Sequence, residues 1–274
     1  MWAAIELEPE CIEEIDFGPL RVWIRRTRTT WQYACAQIGN PEVNSEQERS
    51  WTTFVPASGE SKVVFQPAMP DRPVVVHTEN PLEFAPGARY LLFTSIPLWI
   101  RAWIGAPGRQ LLFDLPTVTL SNTWFGSPAT GRLCYTSPAS LARHSHDIGP
   151  RYPGAEAICP LRIANRAQSP KQVHRLVIFS EMLRVYRAGD SDATFRAPRR
   201  SDERHSLPIQ SEPGQLWTNE ALVNYTGEEE LSVTVSEKAP SLTATPELLC
   251  PSRVTPSENL VRKGMILLRR IGNY

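Results

Sequence analysis

The sequence predicts an all-β protein with mainly antiparallel strands, built as two packed β-sandwich-like halves followed by a C-terminal amphipathic helix. Between residues 72 and 135, apolar runs of strand length alternate with Pro, Gly and Asn, as in a β-meander. The chain has 25 prolines in 274 residues, and they fall between apolar runs, where strands end. The run from Ile96 to Ile104 alternates strictly, which predicts one buried face.

The first half is expected to span residues 1–116. Residues 1–15 are predicted to form an edge strand, and a hairpin follows across residues 27–30. The further strands predicted for this half, with the two hairpin strands first, are Leu20–Arg26, Trp31–Gln37, Val63–Gln66, Pro73–Thr78, Ile96–Ile104 and Leu111–Leu115.

The second half is expected to span residues 117–254 and to contain a long polar loop over 189–213. The run Arg175–Arg187 reads as one bent strand or as two. The segments near residues 73–101 and 160–186 resemble each other, which favours two similar halves, although chance similarity between strands explains it as well. The other predicted strands are Val118–Phe125, Leu133–Thr136, Ala157–Ala164, Leu216–Tyr225 and Leu231–Glu237.

A helix is predicted over residues 255–274. Thr255, Pro256 and Glu258 form a capping box with proline at the first helical position. Apolar residues cover one face and arginines and lysine the other, so we expect the helix to dock on the sandwich. A final strand over Met265–Arg269 is the alternative.

Charge and cysteine content restrict the class of protein. The 29 basic and 29 acidic residues balance, which argues against general nucleic-acid binding but leaves room for a local basic patch. Five widely spaced cysteines without a C-x-x-C pair indicate reduced thiols. Neither a signal peptide nor a transmembrane segment is recognisable, so a cytoplasmic location is expected. The oligomeric state stays open.

Two aromatic groups are candidate binding residues. Trp99, Arg101 and Trp103 share the second face of the alternating run, which predicts either a face covered by another layer or a platform for sugar rings or bases.

The second group is Asn122, Trp124 and Phe125, followed after a glycine turn by Arg132. Adjacent Trp and Phe place aromatic side chains on both faces of a hairpin. Either Trp124 fills the junction between the halves, or the aromatic residues border a groove there, with Asn122 and Arg132 as polar partners.

Histidines 144 and 146 are weak candidates for metal ligands. They form an H-x-H pair, but Gly and Pro around them indicate a loop, and no third ligand is evident. The sequence predicts no catalytic residue and no cofactor, because no nucleophile–base pattern or phosphate-binding glycine loop is present.

Several blocks of the chain, FGPLRVWIRR, RPVVV, LLFTSIPLWIRAW, LSNTWFGSPATGRLCY and AICPLRIANRA, resemble an uncharacterised prokaryotic family known only as a domain of unknown function. The resemblance covers most of residues 16–225 and is most specific in the TWFG…GxLCY block. It implies one conserved fold unit and carries no activity, cofactor or catalytic residue.

The function predicted is that of a non-enzymatic cytosolic interaction or regulatory protein whose partner is unknown. The alternative is a ligand-binding protein or hydrolase-type enzyme with a pocket at the junction of the halves, with a carbohydrate as one candidate for the small polar ligand.

Overall fold

Strands account for almost all regular structure in the computed structural model, which describes residues 2–38, 49–57, 59–127, 129, 131–137, 139–149, 151–189, 208–226 and 231–254. The all-β class with mainly antiparallel pairing is confirmed. In chain order the strands are β1 Ala4–Glu6, β2 Ile12–Phe17, β3 Leu20–Arg26, β4 Trp31–Gln37, β5 Thr52–Phe54, β6 Lys62–Ala68, β7 Val74–Phe84, β8 Arg89–Pro97, β9 Trp99–Ile104, β10 Gln110–Pro116, β11 Ser121–Phe125, β12 Arg132–Ser137, β13 Glu156–Asn165, β14 Lys171–Ile178, β15 Val185–Ala188, β16 Leu216–Thr218, β17 Ala221–Tyr225, β18 Leu231–Val235 and β19 Pro246–Cys250.

Two predicted segments fall wholly or partly outside these residues. The C-terminal helix over 255–274 lies outside the described residues and stays a prediction. Of the polar loop over 189–213, the structure describes residue 189 and residues 208–213, where Ile209 is buried and bridges to Leu242.

Contacts group the described residues into two compact units. The first unit draws on Met1–Ala68, Pro97–Thr119 and Arg151–Ala155, and the second on the remaining segments. This division differs from the predicted halves 1–116 and 117–254, because residues 69–96 belong to the second unit. Backbone pairing explains the difference, since β7 pairs with β14 and β8 with β13, strands far away in the sequence.

The first unit is a β-sandwich. One sheet has the order β1-β6-β9-β10 and the other β2-β3-β4-β5. Alternate residues of both sheets enter a single apolar cluster. The aromatic pairs Phe17–Phe65 and Tyr33–Phe113 join the two sheets with ring centroids 5.3 and 4.8 Å apart.

The second unit contains a four-stranded and a seven-stranded sheet. The first has the order β11-β12-β7-β14, in which β12 and β7 run parallel. The second has the order β18-β17-β13-β16-β15-β19, with β8 also on β13. Phe93 and the fully buried Trp217 meet edge to face in a cluster with residues of this larger sheet.

The alternating run from Ile96 to Ile104 is buried as predicted on one face. Ile96, Leu98, Ile100, Ala102 and Ile104 are at most 1% exposed. The run is not one strand, however, because β8 ends at Pro97 and β9 begins at Trp99. At Leu98 the backbone N–H donates to the Ala155 carbonyl and the C=O accepts from Thr117, so the chain changes sheets there.

Up to residue 96, the two segments with similar sequences lie side by side in the second unit. β7 from the first segment pairs antiparallel with β14 from the second, with Val74 opposite Ile178. Arg175–Arg187 is two strands, β14 and β15, separated by a 3-10 turn at Ser180–Met182. The similarity therefore relates strands that pair with one another, and its interpretation as two similar halves stays a prediction.

All five cysteines are free; Cys134, Cys159 and Cys250 are buried, whereas Cys11 and Cys35 are exposed.

No helix in the described part of the chain has the length and apolar composition needed to span a bilayer.

Gly18, in the β2–β3 turn, is predicted to tolerate no side chain. Its φ is +60°, and an added Cβ would lie 2.8 Å from Ala155 Cβ. Gly87 has φ +73° with open space around it. Gly87→Ala should cost about 1–2 kcal/mol of unfolding free energy from backbone strain alone. Gly18→Ala should cost about 1–3 kcal/mol more through overpacking. Urea unfolding measures both losses. Equal losses of unfolding free energy for Gly18→Ala and Gly87→Ala would contradict the close approach of residue 18 to Ala155.

Candidate functional site

The β11–β12 hairpin carries the second predicted group of binding residues at the edge of the four-stranded sheet. Trp124 pairs with Leu133 across the hairpin, and Phe125 with Arg132. Because side chains alternate along a strand, Trp124 and Leu133 share one face and Phe125 and Arg132 the other. The aromatic residues thus point in opposite directions, as the sequence predicted.

Trp124 and Leu133 form an exposed apolar pair. Their exposed fractions are 46% and 40%, high for large apolar side chains. The Trp124 indole N–H donates to the Ser127 carbonyl at 3.0 Å, which holds the ring over the turn. A Cβ on Gly131 would overlap that indole nitrogen, so only glycine fits there. The tryptophan is therefore exposed and held in position.

A polar group adjoins this pair. Asn122 pairs with Tyr135 across the hairpin. The Arg72 guanidinium donates to Asn122 Oδ1 at 3.2 Å and lies 5.4 Å from the centre of the Tyr135 ring. The Tyr135 hydroxyl donates to Asp71 at 2.9 Å. Burial raises the pKa of Tyr135, and the bond to Asp71 raises it further. We call these six residues, Asp71, Arg72, Asn122, Trp124, Leu133 and Tyr135, the outer surface.

The opposite face of the hairpin is packed. Phe125 is buried, and the Arg175 guanidinium lies 5.7 Å from its ring centre. Arg132 Nη2 lies 3.1 Å from Glu181 Oε1, and its guanidinium is 5.3 Å from the Phe179 ring centre. Arg132 thus points away from Trp124 and forms an ion pair, whereas the sequence predicted that both border one groove. The groove at the junction of the halves stays a prediction.

Glu181 is a buried carboxylate with one unsatisfied oxygen. The residue is 4% exposed, and Oε2 has no hydrogen-bond partner among the described residues. Burial raises the pKa of Glu181; Arg132 opposes this shift and Asp71 adds to it. Burial also raises the pKa of the neighbouring Cys134 thiol to about 11, so this cysteine is a poor nucleophile at neutral pH.

The 3-10 turn at Ser180–Met182 joins several parts of the second unit. The Ser180 hydroxyl donates to the Arg72 carbonyl at 2.6 Å. The Glu181 carbonyl accepts from the N–H groups of Arg253 and Val254, at 3.0 and 3.2 Å. The turn therefore supports the outer surface through Arg72 and the opposite face through the Glu181 side chain.

Trp99, Arg101 and Trp103 belong to the first unit, so the two predicted groups lie in different compact units. Arg101 is paired with Asp114 at 3.1 Å, and the Trp103 indole donates to Gln66 at 3.2 Å. Their side chains are partly buried. These contacts connect neighbouring strands. They engage the Arg101 guanidinium and the Trp103 indole N–H, which are polar groups that could otherwise bind a ligand.

Arginine–indole stacking does occur in the first unit, on the other sheet. Arg25 lies 4.4 Å from the Trp51 ring centre, and Arg49 lies 4.2 Å from that of Trp23. Residues Arg49 and Trp51 come from the segment before β5, so the outer face of β3 is covered by the chain itself.

His144 and His146 are exposed in and beside the 3-10 turn Ser145–Asp147. Their rings stack with centroids 5.2 Å apart, and His146 Nε2 lies 3.4 Å from Asp147. In the described part of the chain, no group of three or more His, Cys, Asp or Glu side chains is arranged to hold a metal ion.

Sequence reasoning missed Asp71, Arg72, Tyr135 and Glu181. Tyr135 stood within the TWFG…GxLCY block without an assigned role. Glu181 had a recognisable signal, because it is the single charged residue between the apolar stretches 176–179 and 182–183. Asp71 and Arg72 had no signal, since the hydrogen-bond partners of their side chains, Tyr135 and Asn122, are more than 45 residues away.

Ionisation of Glu181 is predicted to destabilise the fold. Because its folded pKa is raised above the unfolded value near 4.5, the folded state binds the proton more tightly, and stability falls as pH rises through the folded pKa. Glu181→Gln should therefore gain stability relative to the wild type as pH increases from 4.5 to 7.5. Urea unfolding across this range tests the effect, with the exposed Glu13→Gln as control. If the free energy of unfolding changed with pH in the same way for the wild type and for Glu181→Gln, the prediction would be wrong.

Arg132 is predicted to stabilise the fold by compensating Glu181. Removing one partner of a buried ion pair costs about 3–5 kcal/mol; since Arg132 is half exposed, we expect about 1–2 kcal/mol for Arg132→Ala at pH 7.5. Adding Glu181→Gln should recover most of this loss, except the stacking on Phe179. A double-mutant cycle measures the coupling, and additive losses would show that the pair does not interact.

The family described as "Protein of unknown function (DUF432)" matches residues 1–198. No curated protein and no solved structure matches the chain. The matched residues include the whole β11–β12 hairpin, Asp71, Arg72 and Glu181. By this match the chain belongs to the DUF432 family.

Proposed function

We propose that this protein is a non-enzymatic interaction module and that the outer surface of the β11–β12 hairpin is its docking site. The observation that carries the proposal is the exposed, positioned Trp124–Leu133 pair. Trp, Tyr and Arg are the residue types most enriched in energetically important interface positions, and the outer surface holds one of each beside Leu133. Asp71 and Asn122 supply the polar rim typical of such interfaces.

The partner we propose is an extended segment of another protein that adds a strand to β11. β11 is the edge of its sheet in the described structure, and an edge strand offers unpaired backbone groups. A strand placed there would bring one apolar side chain beside Trp124, on the face of the sheet that also carries Leu133. The five free thiols support a reducing, cytoplasmic setting for this interaction.

A ligand-binding function is the alternative, with a carbohydrate as one candidate. The observation that favours it is the same exposed indole, because a fixed aromatic ring is a suitable surface for stacking a sugar ring. A partner protein and a sugar can be distinguished by hydrogen exchange, because they would protect different numbers of backbone amides along β11.

Binding through the outer surface is predicted to depend on Trp124. A photo-crosslinking residue at position 133 in the native host should identify the partner, which is then purified and titrated against the full chain. Trp124→Ala should weaken the affinity about 30-fold or more, as for a central interface residue. Leu248→Ala, which changes an equally exposed leucine (51% exposed) on β19, should leave it unchanged.

Hydrogen exchange provides the second measurement. A bound strand should protect backbone amides along β11, whereas a sugar would protect only the neighbourhood of Trp124. The proposal would be overturned if the wild type and Trp124→Ala bound the partner with equal affinity, provided that thermal melting shows both proteins to be folded. Protection confined to Trp124 would favour the ligand-binding alternative.

A further inference from the structure

A second candidate site lies in the first unit, beside the β3–β4 turn. A pocket of about 280 Å³ opens between this turn and the segment that precedes β6. Arg26, Arg28 and Thr29 line one side, and Pro56, Ala57 and Gly59 the other. The buried Trp31 also lines it. The pocket has a polar, cationic side and a side formed by small apolar residues.

Hydrogen bonds within the turn fix its shape. The Thr27 hydroxyl accepts from the N–H groups of Thr30 and Thr29 at 2.9 and 3.3 Å, and the Thr27 N–H donates to the Thr30 carbonyl at 2.8 Å. The Thr27 and Thr30 hydroxyls are 2.8 Å apart. Threonine hydroxyls thus hold the turn rigid, which leaves Arg28 at its exposed tip.

Most N–H donors of the two arginine side chains have no hydrogen-bond partner among the described residues. One N–H of Arg26 donates to the Gly59 carbonyl at 3.1 Å, which holds the guanidinium across the pocket. Arg28 has no hydrogen bond or ion pair with any described residue. A guanidinium has five N–H donors in a planar fork, which matches the oxygens of a phosphoryl group.

The charge of the pocket is positive, although the chain as a whole is neutral. Among the described residues that line the pocket, the one carboxylate is that of Glu60, which lies 3.7 Å from Arg109. Arg109 is not part of the lining and offsets that negative charge from outside. The described lining therefore carries two positive charges, on Arg26 and Arg28, against the single negative charge of Glu60.

We propose that this pocket binds a small phosphorylated molecule, with its phosphoryl group between the guanidinium groups of Arg26 and Arg28. Arginine forms bidentate, charge-assisted bonds with carboxylates and phosphates alike. A phosphate has a third oxygen and a second negative charge, so it can bond to both guanidinium groups at once, which a single carboxylate does less well. The volume lies just below the range of about 300–1,000 Å³ usual for small-molecule sites, so the remainder of the ligand is small and lies against Pro56 and Ala57. This site is independent of the hairpin and of its proposed partner.

The proposal is tested by titrating the full chain with sn-glycerol 3-phosphate. Binding is measured by isothermal titration calorimetry and by the NMR signal of the Trp31 indole N–H. Saturable binding at one site is expected, with a shift of the Trp31 signal and none of the Trp217 signal. Arg28→Ala should weaken binding about tenfold or more, the effect of losing one charged hydrogen-bond donor group. Arg28→Lys should weaken it less, because the charge is kept and the fork is lost.

Arg143→Ala, an exposed arginine in the second unit, is the matched control and should bind as the wild type does. Malonate and glycerol serve as comparison ligands. Binding that survives Arg28→Ala in a normally folded protein would overturn the site. Malonate binding as tightly as the phosphate would overturn the ligand class, and a Trp31 signal that stays in place would overturn the location.

Discussion

Burial of one face of the run from Ile96 to Ile104 is the constraint on which the rest of the structure depends. Its five inward residues are essentially inaccessible to solvent. Each large apolar side chain so buried contributes about 1.5–3 kcal/mol, which favours burial of this face along both strands of the run. The run ends β8 in the second unit and forms β9 in the first, so the same alternation places strands in two different sheets.

The β11–β12 hairpin shows how one strand pair can serve two purposes. Alternation places Trp124 and Leu133 on the solvent side and Phe125 and Arg132 on the packed side. The packed side is unusual in containing Glu181, whose burial is only partly compensated by Arg132. The 3-10 turn that carries Glu181 also donates a hydrogen bond from the Ser180 hydroxyl to the Arg72 carbonyl. The same turn therefore positions both the Arg132–Glu181 ion pair and the polar part of the outer surface.

Several arginines share a structural role in this neutral chain. Arg25, Arg49, Arg72, Arg132 and Arg175 each lie over an aromatic ring. Such stacking allows a guanidinium to be partly desolvated while its N–H groups bond in the ring plane. Arg28 differs, because it stands at a turn fixed by threonine hydroxyls and has no stacking partner among the described residues. The contrast separates structural arginines from one that remains available to a ligand.

The sequence by itself determined the all-β class, most strand positions and the buried face of the central run, because these follow from local alternation and from turn residues. It also placed Trp124 and Phe125 on opposite faces, since the period of a strand is two. Only the tertiary structure decided which strands pair: β7 with β14 and β8 with β13 made compact units that do not follow chain order. It also decided that Arg132 meets Glu181 and that Arg72 meets Asn122 and Tyr135. These contacts join residues about 50 or more positions apart, and the short-range pattern from which strands are predicted contains no information on such pairs.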